Sequence, residues 1–181
     1  FEAVQIALEH MTPVILLTDG YIANGSEPWR FPASKDLPEI TPPYIKAPND
    51  GDKFLPYLRD ERGVRPWALP GQPGLQHRIG GIEKQDRTGN ISYEPLNHEK
   101  MVRLRAEKIA RIADRYKPIR LDSGPEQGEL LILGWGSTYG AIRTAALQLQ
   151  HEGQSVAHVH IRHMFPFNKG LGPLLKKYKK V

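Results

Sequence analysis

The chain has 181 residues, 39% of them hydrophobic and 25% charged, with a formal net charge of +5. That length suits one ordinary domain or a small domain with an extended arm, and no apolar run approaches the ~20 residues that cross a bilayer as a helix. Cysteine is absent, which excludes disulfides, thiolate zinc sites, a cysteine nucleophile and cysteine-ligated iron–sulfur clusters within these residues and fits a cytoplasmic setting.

Phe1, Val4, Leu8 and Met11 recur at i, i+3, i+7 and i+10, so residues 1–11 read as the end of an amphipathic helix. The opening Phe1-Glu2-Ala3-Val4 is neither a basic leader nor a start methionine, and missing upstream residues are expected. Thr12-Pro13 stops the helix, because proline disfavours the α conformation in the residue before it. Val14-Ile15-Leu16-Leu17 is a continuous apolar run, the pattern of a parallel strand buried on both faces, closed by Thr18-Asp19-Gly20.

Ten of the sixteen prolines lie between Pro28 and Pro73, interspersed with Trp29, Phe31, Tyr44, Phe54, Tyr57 and Trp67. Such a stretch cannot stay helical, and it is too aromatic for a disordered linker. It is predicted to be an extended arm that packs on something, with irregular hairpins at Asn49-Asp50-Gly51 and Glu61-Arg62-Gly63. A short strand near His77–Ile82 and a turn at Asp86–Asn90 follow. Asn97 is a candidate cap for a helix over 98–115, whose apolar face would be Val102, Ala106, Ile109, Ile112 and Ala113.

The last 55 residues are the most regular. Leu130–Leu133 is a predicted buried strand, and Ile142, Ala145, Ala146 and Leu149 line a helix ending at Gly153. Val156–Ile161 is a second strand, Leu171, Leu174, Leu175 and Tyr178 define another helix, and Val181 starts a third strand. Strands joined by crossover helices make a parallel sheet. Both ends of the chain read as cut.

Three groups are candidates for chemistry. The loop Gly134-Trp135-Gly136-Ser137-Thr138-Tyr139-Gly140 joins a strand to a helix, where glycines permit close approach and a helix N-terminus favours an anion. Its spacing is GxGxxxG, not the dinucleotide fingerprint, and no acid ends the following strand. A structural turn, a ligand contact at Gly136, Ser137 and Thr138, and a free-standing nucleotide-binding module all remain open. His158 and His160 share one face of a strand, near His151 and His163, either as hydrogen-bonded core or interface histidines or as a metal pair. Asp19 with Asn24 lies where ligands bind beyond a strand's carboxyl end, or is simply a pair of turns.

Charge is uneven. Residues 1–50 hold three Lys/Arg against seven Asp/Glu, and residues 101–181 hold fourteen against six. Lys169–Val181 has five lysines and no acid, which admits an acidic partner, nucleic acid or a solvated face. With one aromatic and no binding fold around Lys176–Lys180, the solvated face is the simpler reading and no nucleic-acid partner is expected.

Several collinear stretches resemble one family. EAVQIALEHMTPVILLTDGYIAN (Glu2–Asn24), with Glu27-Pro28-Trp29, resembles the end of the thiamine-pyrimidine-binding domain of 2-oxoacid:ferredoxin oxidoreductase alpha subunits. HRIGGIEKQDRTGNISYEPLNHEKMVRLRAEKIARIA, within Gly74–Ala113, resembles their connecting region, most of all that of the 2-oxoglutarate type. Leu133–Gly140 with Ser155–Phe167 resembles their C-terminal transketolase-like domain, although Phe165-Pro166-Phe167-Asn168 stands where relatives read Asn-Pro-Phe-Pro.

The resemblance implies an α/β fold in three parts. Residues 1–27 would be the remnant of a thiamine-binding-type parallel sheet. Residues 28–125 would be a proline-rich connecting arm with one helix, and 126–181 a truncated transketolase C-terminal-like three-layer domain. It implies oxidative decarboxylation of a 2-oxoacid to acyl-CoA and CO2, with thiamine diphosphate and Mg, coenzyme A and iron–sulfur clusters in the full complex. A beta subunit and ferredoxin would be partners, with a gamma subunit or domain as a further candidate, in a cytoplasmic setting without membrane. The family's catalytic glutamate and Tyr-Pro-Ile-Thr-Pro motif belong upstream of Phe1, so no catalytic residue transfers and this piece is expected to be structural.

Overall fold

The computed structural model describes residues 1–181. They form two compact units, one of Phe1–Ile15 with Pro32–Ile112, the other of Leu16–Phe31 with Ala113–Val181. The fold is mixed α/β with parallel sheets, as expected.

In the first unit, helix α1 spans Glu2–His10 and closes on Met11, whose left-handed backbone lets its N–H reach the Ala7 carbonyl. The face it buries carries Ile6 and His10, while Phe1 and Val4 are exposed. The first half of the apolar stripe read from the sequence is thus exposed, while Leu8 and Met11 are half-buried and the most deeply packed residues lie beside them. Trp67 Nε1 donates to the Leu8 carbonyl at 2.9 Å and Lys108 Nζ to the Met11 carbonyl at 2.8 Å, so the helix end is held by side chains distant in sequence.

The proline-rich stretch from Pro32 on folds against its own unit. Both expected turns are present: Asp50 and Lys53 exchange backbone hydrogen bonds of 3.1 Å around Gly51, and Asp60 pairs with Gly63 and Val64. Strands β1 (Tyr44–Ile45) and β2 (Trp67–Ala68) pair in parallel, and Val64, Leu75 and Pro56 are buried. Helix α3 covers Pro95–Arg111, and the Glu61 carbonyl accepts from Arg111 Nη1 at 2.9 Å.

Two details of α3 correct the sequence reading. Glu94, not Asn97, is the N-cap, because Pro95 sits at the first helical position, where its missing N–H is no loss. The inward residue is Met101, while Val102 and Ala106 are exposed. The stripe Met101, Leu104, Lys108 and Ile112 faces the unit, with a lysine's aliphatic stem taking an apolar position. Asn97 instead bridges a turn, its side chain accepting from Asp86 N at 2.9 Å and donating to the Lys84 carbonyl at 2.9 Å. His77–Ile82 forms no strand.

Val14–Leu17 pairs with no strand; Ile15 and Leu16 are 83% and 75% exposed. A doubly buried parallel strand needs neighbours on both edges and cover on both faces, and neither unit supplies them. The run leads into α2 (Gly20–Asn24), a single turn capped by Asp19 Oδ1, which accepts from Ile22 N at 3.0 Å.

The second unit is built on a three-stranded parallel sheet of order β4-β3-β5. Strand β3 is Gly128–Trp135, helix α4 is Tyr139–His151, and β4 is Val156–Ile161, in register from Leu130↔Val156 to Trp135↔Ile161. Helix α5 takes only Leu171–Leu175. Tyr178 belongs to β5 (Tyr178–Lys180), three residues earlier than the strand expected at Val181. The Tyr178 ring packs in the core with Leu131, Ala157, Val159 and Leu174, which draws the chain into the sheet at that point. The outer edge of β4 is covered by Asp122-Ser123, which exchange backbone hydrogen bonds with His158.

Candidate functional site

The turn after β3 and the start of α4 bring two of the sequence candidates together. Gly136 has φ 63, a left-handed backbone that favours glycine, and opens one 3-10 turn over Gly136–Thr138 before α4 begins. Thr138 Oγ1 donates to the Trp135 carbonyl at 2.7 Å and so closes the turn on itself. Ser137 N donates to Asp19 Oδ2 at 3.1 Å. Asp19 therefore ties α2 to this turn with its two oxygens. Hydrogen bonds from the Ile22 N–H and from Ser137 hold its carboxyl below the usual carboxylate range. The donor that sequence reasoning offered to a ligand is engaged by the protein's own carboxylate, a group with the charge and geometry of an anionic ligand oxygen. Asn24, the other residue of that candidate, donates to the Gly20 carbonyl at 2.7 Å and only closes its own helical turn.

Behind the turn lie the histidines of β4. His158 is fully buried, and no protein group stands within hydrogen-bond reach of either of its ring nitrogens; the same holds for His160 Nδ1. Of the expected core or interface histidines, His158 is a core one, but without the hydrogen bonds expected of it. Tyr139, the first residue of α4, presents its ring to both, with centroids 5.6 Å from His158 and 5.0 Å from His160. Gly134 makes room for this cluster: a Cβ there would stand 2.5 Å from Ile142 Cδ1 and 3.3 Å from His160 Nδ1. Burial pushes the His158 imidazole below the ordinary histidine value; Asp122 opposes the shift, and His160 and Arg143 add to it. A buried neutral imidazole is the result. His163 is separate, stacked on Tyr116 at 3.8 Å, and His151 is exposed at the end of α4.

No three His, Cys, Asp or Glu side chains anywhere in the chain stand close enough to share a metal ion, and with no cysteine the donor set does not fit an iron–sulfur cluster. The basic end is partly neutralised: Lys179 pairs with Glu129 at 2.6 Å and Lys169 pairs with Asp114. Sequence reasoning missed Asp122, whose Oδ2 accepts from His160 N at 2.7 Å. Asp122-Ser123-Gly124-Pro125 is a turn signal in sequence, and nothing local marks it as the cover of a strand edge.

No protein-family model matches the chain. The 2-oxoglutarate oxidoreductase subunit KorA of Mycobacterium tuberculosis is 49% identical to it over 181 residues, which is 99% of this chain and 27% of that protein. The chain is also similar to alpha subunits of 2-oxoacid:ferredoxin oxidoreductases. The alpha subunit from Saccharolobus solfataricus is 30% identical over 93% of this chain and 27% of its own length. That of the Aeropyrum pernix oxidoreductase 1 is 31% identical over 93% and 26%. Among solved structures, the 2-oxoglutarate:ferredoxin oxidoreductase of Magnetococcus marinus, determined with 2-oxoglutarate, coenzyme A and succinyl-CoA bound, superposes with a TM-score of 0.82 at 28% identity. The match covers 98% of this chain and 31% of that one. The chain thus spans about a quarter of the length of the curated relatives it matches.

Proposed function

We propose that this chain is the C-terminal part of the alpha subunit of a 2-oxoglutarate:ferredoxin oxidoreductase. The whole protein would convert 2-oxoglutarate and coenzyme A to succinyl-CoA and CO2, passing the electron pair to ferredoxin and releasing a proton. The observation that carries this reading is the 49% identity, over 99% of the chain, to a relative named for 2-oxoglutarate. The superposition on an enzyme with 2-oxoglutarate and succinyl-CoA bound supports the same substrate.

Thiamine diphosphate with Mg supplies the decarboxylation chemistry in this family, and iron–sulfur clusters carry the electrons. The residues of this chain fit neither group by themselves, so both belong to the rest of the subunit and to its beta and gamma partners, in a cytoplasmic complex. The second unit takes the role of the transketolase C-terminal-like domain. Gly136, Ser137 and Thr138 are its cofactor-facing turn; a ligand oxygen there would replace the Asp19 carboxylate on the Ser137 N–H.

This chain's own part is assembly. Trp29 and Phe31 stack edge to face at 5.1 Å yet are 68% and 82% exposed, and in the same unit Leu16, Leu17, Tyr21 and Ile22 are exposed as well. An exposed aromatic pair and so many exposed apolar side chains in one short segment favour an interface. Exchanging Trp29 and Phe31 for serine is expected to leave the subunit folded and to prevent its co-purification with the beta subunit.

The decisive experiment is expression of the full-length subunit with its partners, followed by coenzyme A-dependent reduction of ferredoxin with 2-oxoglutarate, pyruvate or a branched 2-oxoacid. Selective turnover of 2-oxoglutarate is expected. Preference for pyruvate or a branched acid would move the protein within the family, and failure to reduce ferredoxin with any of them would overturn the proposal.

A further inference from the structure

A lysine in the first unit has no counter-charge. Lys84 is 4% exposed, a burial that lysine rarely adopts without a partner. Its ammonium donates to one protein acceptor, the Ile82 carbonyl at 2.8 Å, and no carboxylate lies within ion-pair distance. Burying a charge without compensation is unfavourable, and an ammonium has three donors to satisfy.

The acid beside it in sequence, Glu83, is already engaged. Glu83 Oε2 meets His98 Nδ1 at 2.5 Å, and Oε1 accepts from Arg105 Nη1 at 3.3 Å and from the backbone N–H of Lys84 at 3.2 Å. Glu83 therefore neutralises Arg105 and leaves Lys84 with an uncompensated charge.

Lys84 and Glu83 line one cleft of about 480 Å³ together with Gly80, Gly81 and, from α3, His98 and Arg105. A Cβ on Gly80 would stand 3.9 Å from Lys84 Nζ, and one on Gly81 would meet nothing within 4 Å. Gly80 thus keeps a side chain out of the space next to the ammonium. The space is that of a metabolite-sized ligand rather than a bare ion.

We propose that this cleft binds a small oxyanion, a carboxylate or phosphate group, with Lys84 as its counter-ion and Arg105 beside it. The anion supplies the charge that Lys84 lacks, and the Gly80-Gly81 backbone borders it at close range. The site is distinct from the Gly136–Thr138 turn and stands whatever 2-oxoacid the whole protein consumes.

Calorimetric titration of the full-length protein at low ionic strength, with succinate in one arm and inorganic phosphate in the other, tests this. Saturable binding of one probe is expected, and the arm that binds identifies the anion class. Lys84→Met should weaken that binding about tenfold or more, Lys84→Arg should retain it, and added salt should reduce it. Lys84→Met should also melt no earlier than the parent, since it removes an uncompensated buried charge. A second variant guards against a failure to fold: Gly81→Glu adds a carboxylate to the lining of the same cleft, at a position where a Cβ meets nothing within 4 Å, and should block the probe by filling the cleft with negative charge. Absence of binding in both arms, or binding undiminished in Lys84→Met or in Gly81→Glu, overturns the proposal.

Discussion

Replacing His158 by leucine should stabilise the second unit, and the gain should grow as the pH falls. The imidazole is fully buried on the edge strand of the sheet with neither ring nitrogen partnered. A buried polar group without a hydrogen bond costs about 1–3 kcal/mol, whereas a leucine of similar volume adds apolar contact with no polar atom to satisfy. At neutral pH a gain of about 1–2 kcal/mol is therefore expected, a little less than the full penalty because the contact with the Tyr139 ring is lost.

The pH dependence has a definite sign. Burial lowers the proton affinity of folded His158 beneath the ordinary value of 6.5, with Asp122 opposing and His160 and Arg143 assisting. The unfolded chain then binds the proton more readily. The parent keeps its full stability above pH 6.5 and loses it as the pH falls below, with a limiting slope of about 1.4 kcal/mol per pH unit from this one group. Urea denaturation of parent and variant across this range, followed by the near-ultraviolet signal of Trp135, isolates the histidine, because every other titration cancels in the difference. A leucine variant that is less stable at neutral pH, or whose stability runs parallel to the parent's under acid, would refute the reasoning.

Other positions respond in predictable ways. Gly124→Ala should destabilise the same unit by about 2–5 kcal/mol in the same assay, since φ is 92 and the new Cβ would lie 2.4 Å from the Val156 carbonyl oxygen. Trp67→Phe removes the hydrogen bond to the Leu8 carbonyl and should cost about 1 kcal/mol, with faster hydrogen exchange in α1 as its local sign. Asp19→Asn should speed exchange of the Ile22 and Ser137 amides. In the parent their protection should persist below the usual carboxylate range and fade only as the lowered carboxyl of Asp19 protonates.

The periodicity of the chain determined where its regular elements lie. β4 falls on Val156–Ile161 as read, and α4 ends where Gly153 was expected to stop it. Both are local outcomes: alternation of residue types, crossover length and a glycine that accepts a left-handed turn. The order of motifs also carried the resemblance to 2-oxoacid:ferredoxin oxidoreductase alpha subunits, since sequence similarity is a property of the linear string.

Only the tertiary structure decided which side of each helix is buried. Phe1, Val4 and Val102 look like core residues by spacing and are exposed, while Ile6 and Met101 are packed. Several adjacent stripes of one helix can be apolar, and the neighbours choose among them. Tertiary structure also placed Tyr178 in a strand, joined Asp19 to Ser137 across 118 positions, buried the His158 ring nitrogens without a partner, and buried Lys84 without a counter-charge. Burial and charge compensation depend on which segments meet in space, and a one-dimensional pattern contains no distance between residues so far apart.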